Sequence, residues 1–113
     1  MKTVNEKISI KELREMSEKM FGNLVKAVVD VEKEIMAIDG ELHADEEELL
    51  LESGSLQENL WGINLYPEIQ SKNWLEFDSM INLRPKQNNR TRGVEDKKLQ
   101  EKIINIVSKL VAE

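Results

Sequence analysis

The segment LVKAVVDVEKEIMAID, residues 24–39, decides the fold. Apolar and polar side chains alternate from Lys26 to Glu32, and this period of two is typical of a strand with one buried face. The polar run Glu32–Glu34 is the expected turn, and Ile35–Ile38 is the expected return strand. The sequence therefore predicts an antiparallel hairpin. Because the turn lacks an Asn-Gly pair, the register stays open.

Two amphipathic helices are expected, one on each side of this hairpin along the chain. The first is predicted from Ser9 to Gly22, because Ser9 and Glu12 have capping-box spacing and a glycine commonly follows a helix end. The second is predicted in residues 95–113, where apolar side chains recur every three or four positions. They are Leu99, Ile103, Ile106, Val107 and Leu110. A short strand within Thr3–Ile8 precedes the first helix.

The acidic stretch GELHADEEELLLESGS, residues 40–55, permits two interpretations. Polar and apolar residues alternate in its first part, ELHAD, as they do in a half-buried strand. The glutamates and leucines that follow favour a helix by propensity, and Asp45 and Glu48 have the spacing of a helix cap. We favour a strand for Glu48–Glu52, because the segment is short and Ser53–Ser55 has the composition of a turn.

Two further strands are predicted, NLWGINLYP up to Pro67 and NWLEFDSMINLRP up to Pro85. Gly62, inside the first of them, indicates a bulge or a close approach of another part of the backbone. In the second, the period of two puts polar side chains on one face. These include Glu76, Asp78, Asn82 and Arg84. The basic segment KQNNRTRG that follows has no periodicity and is a predicted loop.

In chain order these elements read β-α-β-β-β-β-β-α. We expect an α+β fold with a largely antiparallel sheet, and an N-terminal and a C-terminal helix packed on one face. A length of 113 residues suits one domain, so residues 1–113 are predicted to form a single domain. The other face of the sheet would be open to solvent or to a partner.

Composition limits the classes of function. The net charge of −6 disfavours non-specific contact with nucleic acid or a membrane surface, and no apolar run approaches the roughly 18 residues of a membrane span. The absence of cysteine excludes disulfides and a thiol nucleophile, and it fits a cytoplasmic protein. His43 is the only imidazole, and neither a phosphate-binding Walker loop nor a Gly-x-Ser-x-Gly motif is present.

The first candidate site is a divalent metal site. If ELHAD is a strand, Glu41, His43 and Asp45 share one face, and Asp78 of a later strand could join them. Two or three carboxylates and an imidazole can ligate Mn²⁺, Fe²⁺ or Zn²⁺. The competing interpretation is a solvated polar face, which we favour because one histidine is a thin basis for a metal site. No cofactor is therefore required.

The second candidate site would bind an anion or a small polar ligand. Arginines are concentrated in RPKQNNRTRG, and arginine forks are common parts of anion sites. The candidate side chains are Asn82, Arg84, Asn88, Arg90 and Arg92. Glu95 and Asp96 occupy the start of the following helix and would oppose an anion there. The competing interpretation is a solvated basic loop that pairs with the acidic stretch, residues 40–55, within this chain or in a second copy.

The motifs ELHAD, LWGIN, FDSMINLRP and NRTRGVED, between Phe21 and Asp96, resemble a small prokaryotic family of domains of unknown function. The resemblance implies a cytoplasmic bacterial or archaeal protein and supplies no activity, substrate or site residue. The family pattern has a glycine near Asn88 or Asn89. Asparagine tolerates positive φ better than most residues, so the shape of the loop can survive.

Two classes of function follow from these observations. We favour a non-catalytic interaction or ligand-binding domain, because no catalytic constellation accompanies the one-sided sheet, and the open face or an edge strand could pair in a homodimer. The alternative is a metal- or anion-dependent hydrolase of a phosphate ester or nucleic acid. The four candidate metal ligands would then hold the metal, and the arginines would hold the phosphate.

Overall fold

The computed structural model describes residues 1–112 and is built around a five-stranded sheet. In chain order its strands are β1 (Lys2–Val4), β3 (Val25–Asp30), β4 (Ile35–Ile38), β5 (Leu60–Leu65) and β6 (Leu75–Glu76). Their spatial order is β1-β4-β3-β5-β6, and every neighbouring pair is antiparallel. A separate parallel pair joins β2 (Ile8–Ser9) to β7 (Val111–Ala112). The helices are α1 (Ile10–Lys19), α2 (His43–Glu52) and α3 (Lys97–Leu110).

The hairpin of β3 and β4 is confirmed, and its register is fixed by Asp30. The Asp30 carboxylate accepts hydrogen bonds of 2.9 Å from the backbone N–H groups of Glu32 and Lys33. Glu34 completes the turn in the left-handed region, with φ of 56°. The strands then pair from Asp30 with Ile35 to Ala27 with Ile38. An aspartate in the strand thus supplies the local turn signal that an Asn-Gly pair supplies elsewhere.

Both predicted terminal helices are confirmed, and both pack on the same face of the sheet. Ser9 caps α1 by accepting from the Glu12 backbone N–H at 3.1 Å, and Gly22 follows the helix with φ of 90°. Asp96 caps α3. The predicted apolar stripe of α3 is buried or packed against the core together with Leu13 of α1. Ala27, Ile38 and Ile63 meet them from the sheet.

The strand expected for Glu48–Glu52 is wrong, because residues 43–52 form α2. The buried side chains His43, Glu46 and Leu50 recur at helical spacing, and Leu50 packs on Val28, Ala37 and Leu60 of the second sheet face. This face is therefore covered, and the expectation that it lies open is also wrong. Helical propensity and a tertiary partner together outweigh the short alternation in ELHAD.

The long strand expected from Trp74 to Arg84 is wrong as well, because β6 ends at Glu76. The chain then continues through one 3₁₀ turn at Met80–Asn82 and another at Pro85–Gln87. The side-chain amide of Asn82 replaces a strand partner: it accepts from the Gly62 N–H at 2.8 Å and donates to the Gly62 carbonyl at 3.0 Å. A Cβ on Gly62 would lie 2.5 Å from Cβ of Ser79, so the glycine leaves room for a side chain, and not for another backbone, to approach β5 closely.

The three helices and the sheet form layers, with α1 and α3 on one side and α2 on the other. The larger part of the core lies under α1 and α3, and a smaller cluster lies under α2. Within the described part of the chain, none of the helices is long and apolar enough to cross a membrane.

Candidate functional site

The four predicted metal ligands do not converge. Glu41 lies exposed before α2, His43 is its buried first residue, and Asp45 lies two positions further along the helix. Residues two apart on a helix point in different directions, so the shared strand face does not exist. Asp78 instead pairs with Arg92, at 2.8 Å between Oδ1 and Nε. Among residues 1–112, no group of three or more histidine, aspartate and glutamate side chains is arranged to hold a metal ion.

His43 is held by the backbone of β5. Its Nε2 lies 2.8 Å from the Ile63 carbonyl oxygen, so Nε2 carries the hydrogen and Nδ1 the lone pair. Burial lowers the pKa of His43, and the positive charge of Lys26 lowers it further. The hydrogen bond to Ile63 and the carboxylate of Asp78 oppose this change in the pKa. The imidazole is therefore neutral at pH 7.

A polar row crosses the sheet beneath the start of α2, formed by Lys26, Asn64 and Glu76 on three neighbouring strands in register. The Asn64 amide donates to Glu76 at 2.9 Å and to the Asp78 carbonyl at 3.3 Å. Tyr66 also donates to Glu76, at 2.9 Å. Most polar groups here are satisfied within the chain. Within this row, Oδ1 of Asn64 is buried and has no hydrogen-bond partner among the described residues.

Glu46 is a fully buried carboxyl group. In the sequence it lies within an acidic run, so the pattern does not mark it as buried. Its Oε2 accepts from the Gly40 N–H at 2.9 Å, and its Oε1 has no partner among the described residues. Burial raises the pKa of Glu46 to about 9, so it is protonated at neutral pH. A Cβ on Gly40 would lie 2.7 Å from Cγ of Glu46, so the carboxyl group requires a glycine there.

Asn82 and Arg84, two of the predicted anion-binding residues, are used to hold the fold. Asn82 is fully buried against Gly62, and it also donates to the Arg92 carbonyl at 2.9 Å. The Arg84 guanidinium lies 3.9 Å from the ring centroid of Trp61 and donates to the backbone carbonyls of Gln57 and Leu60. Burial lowers the pKa of Arg84. Neither side chain is free to receive an anion.

The other three predicted anion-binding residues lie on the surface and are not gathered around one concavity. Asn88 adopts the left-handed conformation, with φ of 60°, as expected for a position that tolerates glycine. The Arg90 backbone N–H donates to the carboxylate of Glu95, and the Arg92 side chain is paired with Asp78. The Arg92 side chain is thus paired with an acidic group of its own chain, while pairing of the basic loop with the acidic stretch 40–55 stays a prediction.

A concavity of a size that suits a small molecule lies on the other side of the sheet, and we call it the α1 cleft. Its volume is about 800 Å³. Its walls come from α1, from the segment 67–74 and from the end of α3 with β7. They include Ile10, Arg14, Pro67, Trp74, Ser108 and Val111. The cleft does not contain the perturbed titratable groups His43 and Glu46, which stabilise the packing of α2.

The cleft was not predicted from the sequence. Lys11 and Arg14 look like ordinary surface residues of an amphipathic helix. The walls come from three segments that lie far apart in the chain, so no local pattern joins them. The one available signal is the spacing of Lys11 and Arg14, three residues apart, which places both on one side of α1.

The fold and the cleft define a small α+β protein whose antiparallel sheet is covered by helices on both faces. The chain belongs to the family DUF5674, described as a protein of unknown function, whose model matches residues 2–110. The resemblance noted from its motifs is thereby confirmed. No curated protein and no solved structure matches the chain.

Proposed function

We propose that the protein is a non-catalytic ligand-binding domain and that its ligand occupies the α1 cleft. The observation that carries this proposal is the cleft itself, whose volume of about 800 Å³ lies within the range of small-molecule sites. Half of its lining residues are apolar, with the half-buried Trp74, Ile10 and Val111 among them, and the other half are polar or charged. Apolar surface next to hydrogen-bonding and charged groups can bind and orient a small molecule.

The composition of the cleft favours binding over catalysis. Its hydroxyl groups belong to Ser71 and Ser108. Ser71 already accepts a hydrogen bond from the Asn73 backbone N–H at 3.2 Å. A serine nucleophile needs a neighbouring base, and the only imidazole, His43, lies in α2 on the opposite side of the sheet.

A fluorescent probe tests the proposed site. N-phenyl-1-naphthylamine is uncharged and brightens when it enters an apolar site, so we expect a saturable rise in its emission with the wild-type protein. Ser108→Trp should fill the cleft from α3 and weaken probe binding at least fivefold. Lys97→Trp is the matched control, because it puts the same side chain on the exposed first turn of the same helix.

The pattern of the two variants decides the outcome. Binding that is lost in Ser108→Trp and kept in Lys97→Trp supports the cleft as the site. If both variants bind the probe as the wild type does, the proposal fails. Circular dichroism of each variant establishes that the helices are intact.

Hydrolysis of a phosphate ester or nucleic acid is a second candidate function, and one observation favours it. The Asp78 carboxylate acts on the pKa of His43 and also holds Arg92, so three predicted residues share one region. We expect any such activity to appear with bis-p-nitrophenyl phosphate in the presence of Mn²⁺ or Mg²⁺. His43→Ala and Asp78→Asn should each abolish it. Activity that survives both substitutions would come from elsewhere.

We further propose a cytoplasmic location in a prokaryote and self-association through β1. The lack of cysteine supports the location. The support for self-association is that β1 is an edge strand of the sheet. Sedimentation velocity over a range of concentrations checks the association, and a constant monomer value would exclude it. The net charge of −6 weighs against nucleic acid as a partner.

A further inference from the structure

We infer, on the basis of the proposed function, that the ligand of the α1 cleft is a small organic anion. Its negative group lies at Arg14 and Lys11, and its apolar ring or short acyl chain lies against Trp74. A carboxylate, phosphate or sulfonate meets the chemical requirement equally well. Two features of the cleft favour an anion over a neutral or cationic ligand, and two more favour a compact molecule with an apolar body.

The first feature is the charge of the cleft in relation to the rest of the molecule. The chain carries a net charge of −6, yet α1 contributes two cations to one wall of the cleft. Lys11 is exposed and forms no ion pair with any residue from 1 to 112. An anion that enters the cleft would therefore meet a positive charge that the chain itself does not neutralise.

The second feature is the incomplete pairing of Arg14. Its Nε lies 3.1 Å from Oε1 of Glu68, but the N–H is not aligned with this oxygen, and the buried Nε has no hydrogen-bond partner among the described residues. The Glu68 side chain is 68% exposed. An exposed and misaligned ion pair contributes little, so a ligand oxyanion that aligns with the guanidinium can displace Glu68.

The third feature is the apolar part of the cleft. Trp74, Ile10 and Val111 are partly buried and packed against the main core, so their positions are fixed by the fold. Ile69, in the segment opposite α1, lines the cleft and is 42% exposed. A ligand with an apolar body covers this surface, whereas an inorganic anion such as sulfate leaves it in water.

The fourth feature is the short separation between the cationic and the apolar walls. Ile10 and Arg14 are four residues apart on α1, and they therefore lie next to each other on the same side of the helix. The anionic group and the apolar body must accordingly belong to one compact molecule. This requirement excludes a long polyanion as the preferred ligand.

Two probes that share one ring system test the inference. 8-Anilinonaphthalene-1-sulfonate carries a sulfonate that N-phenyl-1-naphthylamine lacks. We expect the wild type to bind the sulfonate probe at least fivefold more tightly. Arg14→Gln should lower the affinity for the sulfonate probe at least fivefold and change the affinity for the neutral probe by less than twofold. Arg90→Gln is the matched control, because it removes an exposed arginine outside the cleft.

Glu68→Gln supplies a change in the opposite direction. It releases Arg14 from its carboxylate partner, so we expect the sulfonate probe to bind at least twofold more tightly and the neutral probe to be unaffected. Because Glu68 is exposed, this variant keeps the test valid even if Arg14→Gln unfolds. Raising the salt concentration should weaken the binding of the sulfonate probe and leave the binding of the neutral probe unchanged.

The outcomes separate the inference from the proposed function. Equal affinity for the two probes, with both displaced by Ser108→Trp, overturns the anionic ligand and leaves the cleft as the site. The inference is also overturned if the sulfonate probe binds tightly and its affinity is the same in Arg14→Gln and Glu68→Gln as in the wild type. Failure of both probes to bind overturns the proposed function itself.

Discussion

Glu46 shows how a charged residue type can serve as a neutral one inside a protein. The sequence places it in a run of acidic residues, where a solvated role is expected. In the structure it is fully buried and has a single hydrogen-bond partner, the Gly40 N–H. Only its position in the helix, three residues after His43 and four before Leu50, distinguishes it from its exposed neighbour Glu48.

Glu46 should make the protein less stable as the pH rises. Its pKa is about 9 in the folded state and 4.5 in its reference state, so between these values the folded state holds a proton that the unfolded state releases. The stabilisation is complete below pH 4.5 and is lost as the pH rises toward 9. We expect Glu46→Gln to remove this loss, which amounts to as much as about 4 kcal/mol between pH 5.5 and 8.5.

Urea unfolding at these two pH values measures the effect. The informative quantity is the change in unfolding free energy between the two pH values, compared between the wild type and Glu46→Gln. Glu48→Gln is the control, because Glu48 is exposed on the same helix, and it should follow the wild type. A Glu46→Gln variant with the same pH dependence as the wild type would show that Glu46 is ionised in the folded protein.

Removal of the Asn82 side chain should lower the unfolding free energy more than removal of most other polar side chains of the protein. Asn82→Ala leaves the N–H and carbonyl of Gly62 and the carbonyl of Arg92 without their partner, and the expected loss in unfolding free energy is about 2–4 kcal/mol. Chemical denaturation gives the value. Asn88→Gly is a suitable comparison, because Asn88 has a φ of 60° that glycine adopts freely, and it should change stability by less than about 0.5 kcal/mol.

At the scale of elements, the sequence predicts best the segments whose ends are set by their own residues. The hairpin is closed by Asp30, and α1 and α3 are capped by Ser9 and Asp96. Prediction from the sequence fails where a contact with a distant part of the chain determines the secondary structure. The α2 segment becomes a helix on the sheet face that it covers, and β6 stops short because a side-chain amide takes over the pairing with Gly62.

The hairpin turn should depend on the carboxylate of Asp30. Asp30→Ala removes the acceptor for two backbone N–H groups and for the hydroxyl of Ser55, which donates to it at 2.6 Å. We expect a loss of about 2–3 kcal/mol in unfolding free energy, measured by urea denaturation. Glu32→Ala, at an exposed position of the same turn, is a control that should cost much less. Equal losses for the two variants would contradict this role of Asp30.

At the scale of the whole molecule, the two sides of the sheet should differ in local stability. The main core under α1 and α3 is extensive, whereas α2 covers only a small apolar cluster and rests on polar groups as well. We expect the amides of α2 to exchange with solvent through a partial opening, before those of β3 and β5. Native-state hydrogen exchange checks this order. Equal protection in α2 and β5 would indicate a single cooperative unit.

The candidate site belongs to this largest scale, and this explains why sequence reasoning missed it. The residues that looked chemical, such as His43, Asn82 and Arg84, are locally conspicuous and are used to hold the fold. The α1 cleft is made of residues that are ordinary in their own segments. It exists only because the topology brings three distant parts of the chain together.

The parallel pairing of β2 with β7 has a consequence for the time at which the cleft is formed. It joins Ile8 to Val111, so a chain leaving the ribosome cannot complete it until residue 111 has emerged. Ile10 and Val111 both line the cleft. A nascent chain can therefore have its hairpin and α1 in place and still lack the α1 cleft, so the ligand proposed for this cleft can meet only a chain whose synthesis has passed residue 111.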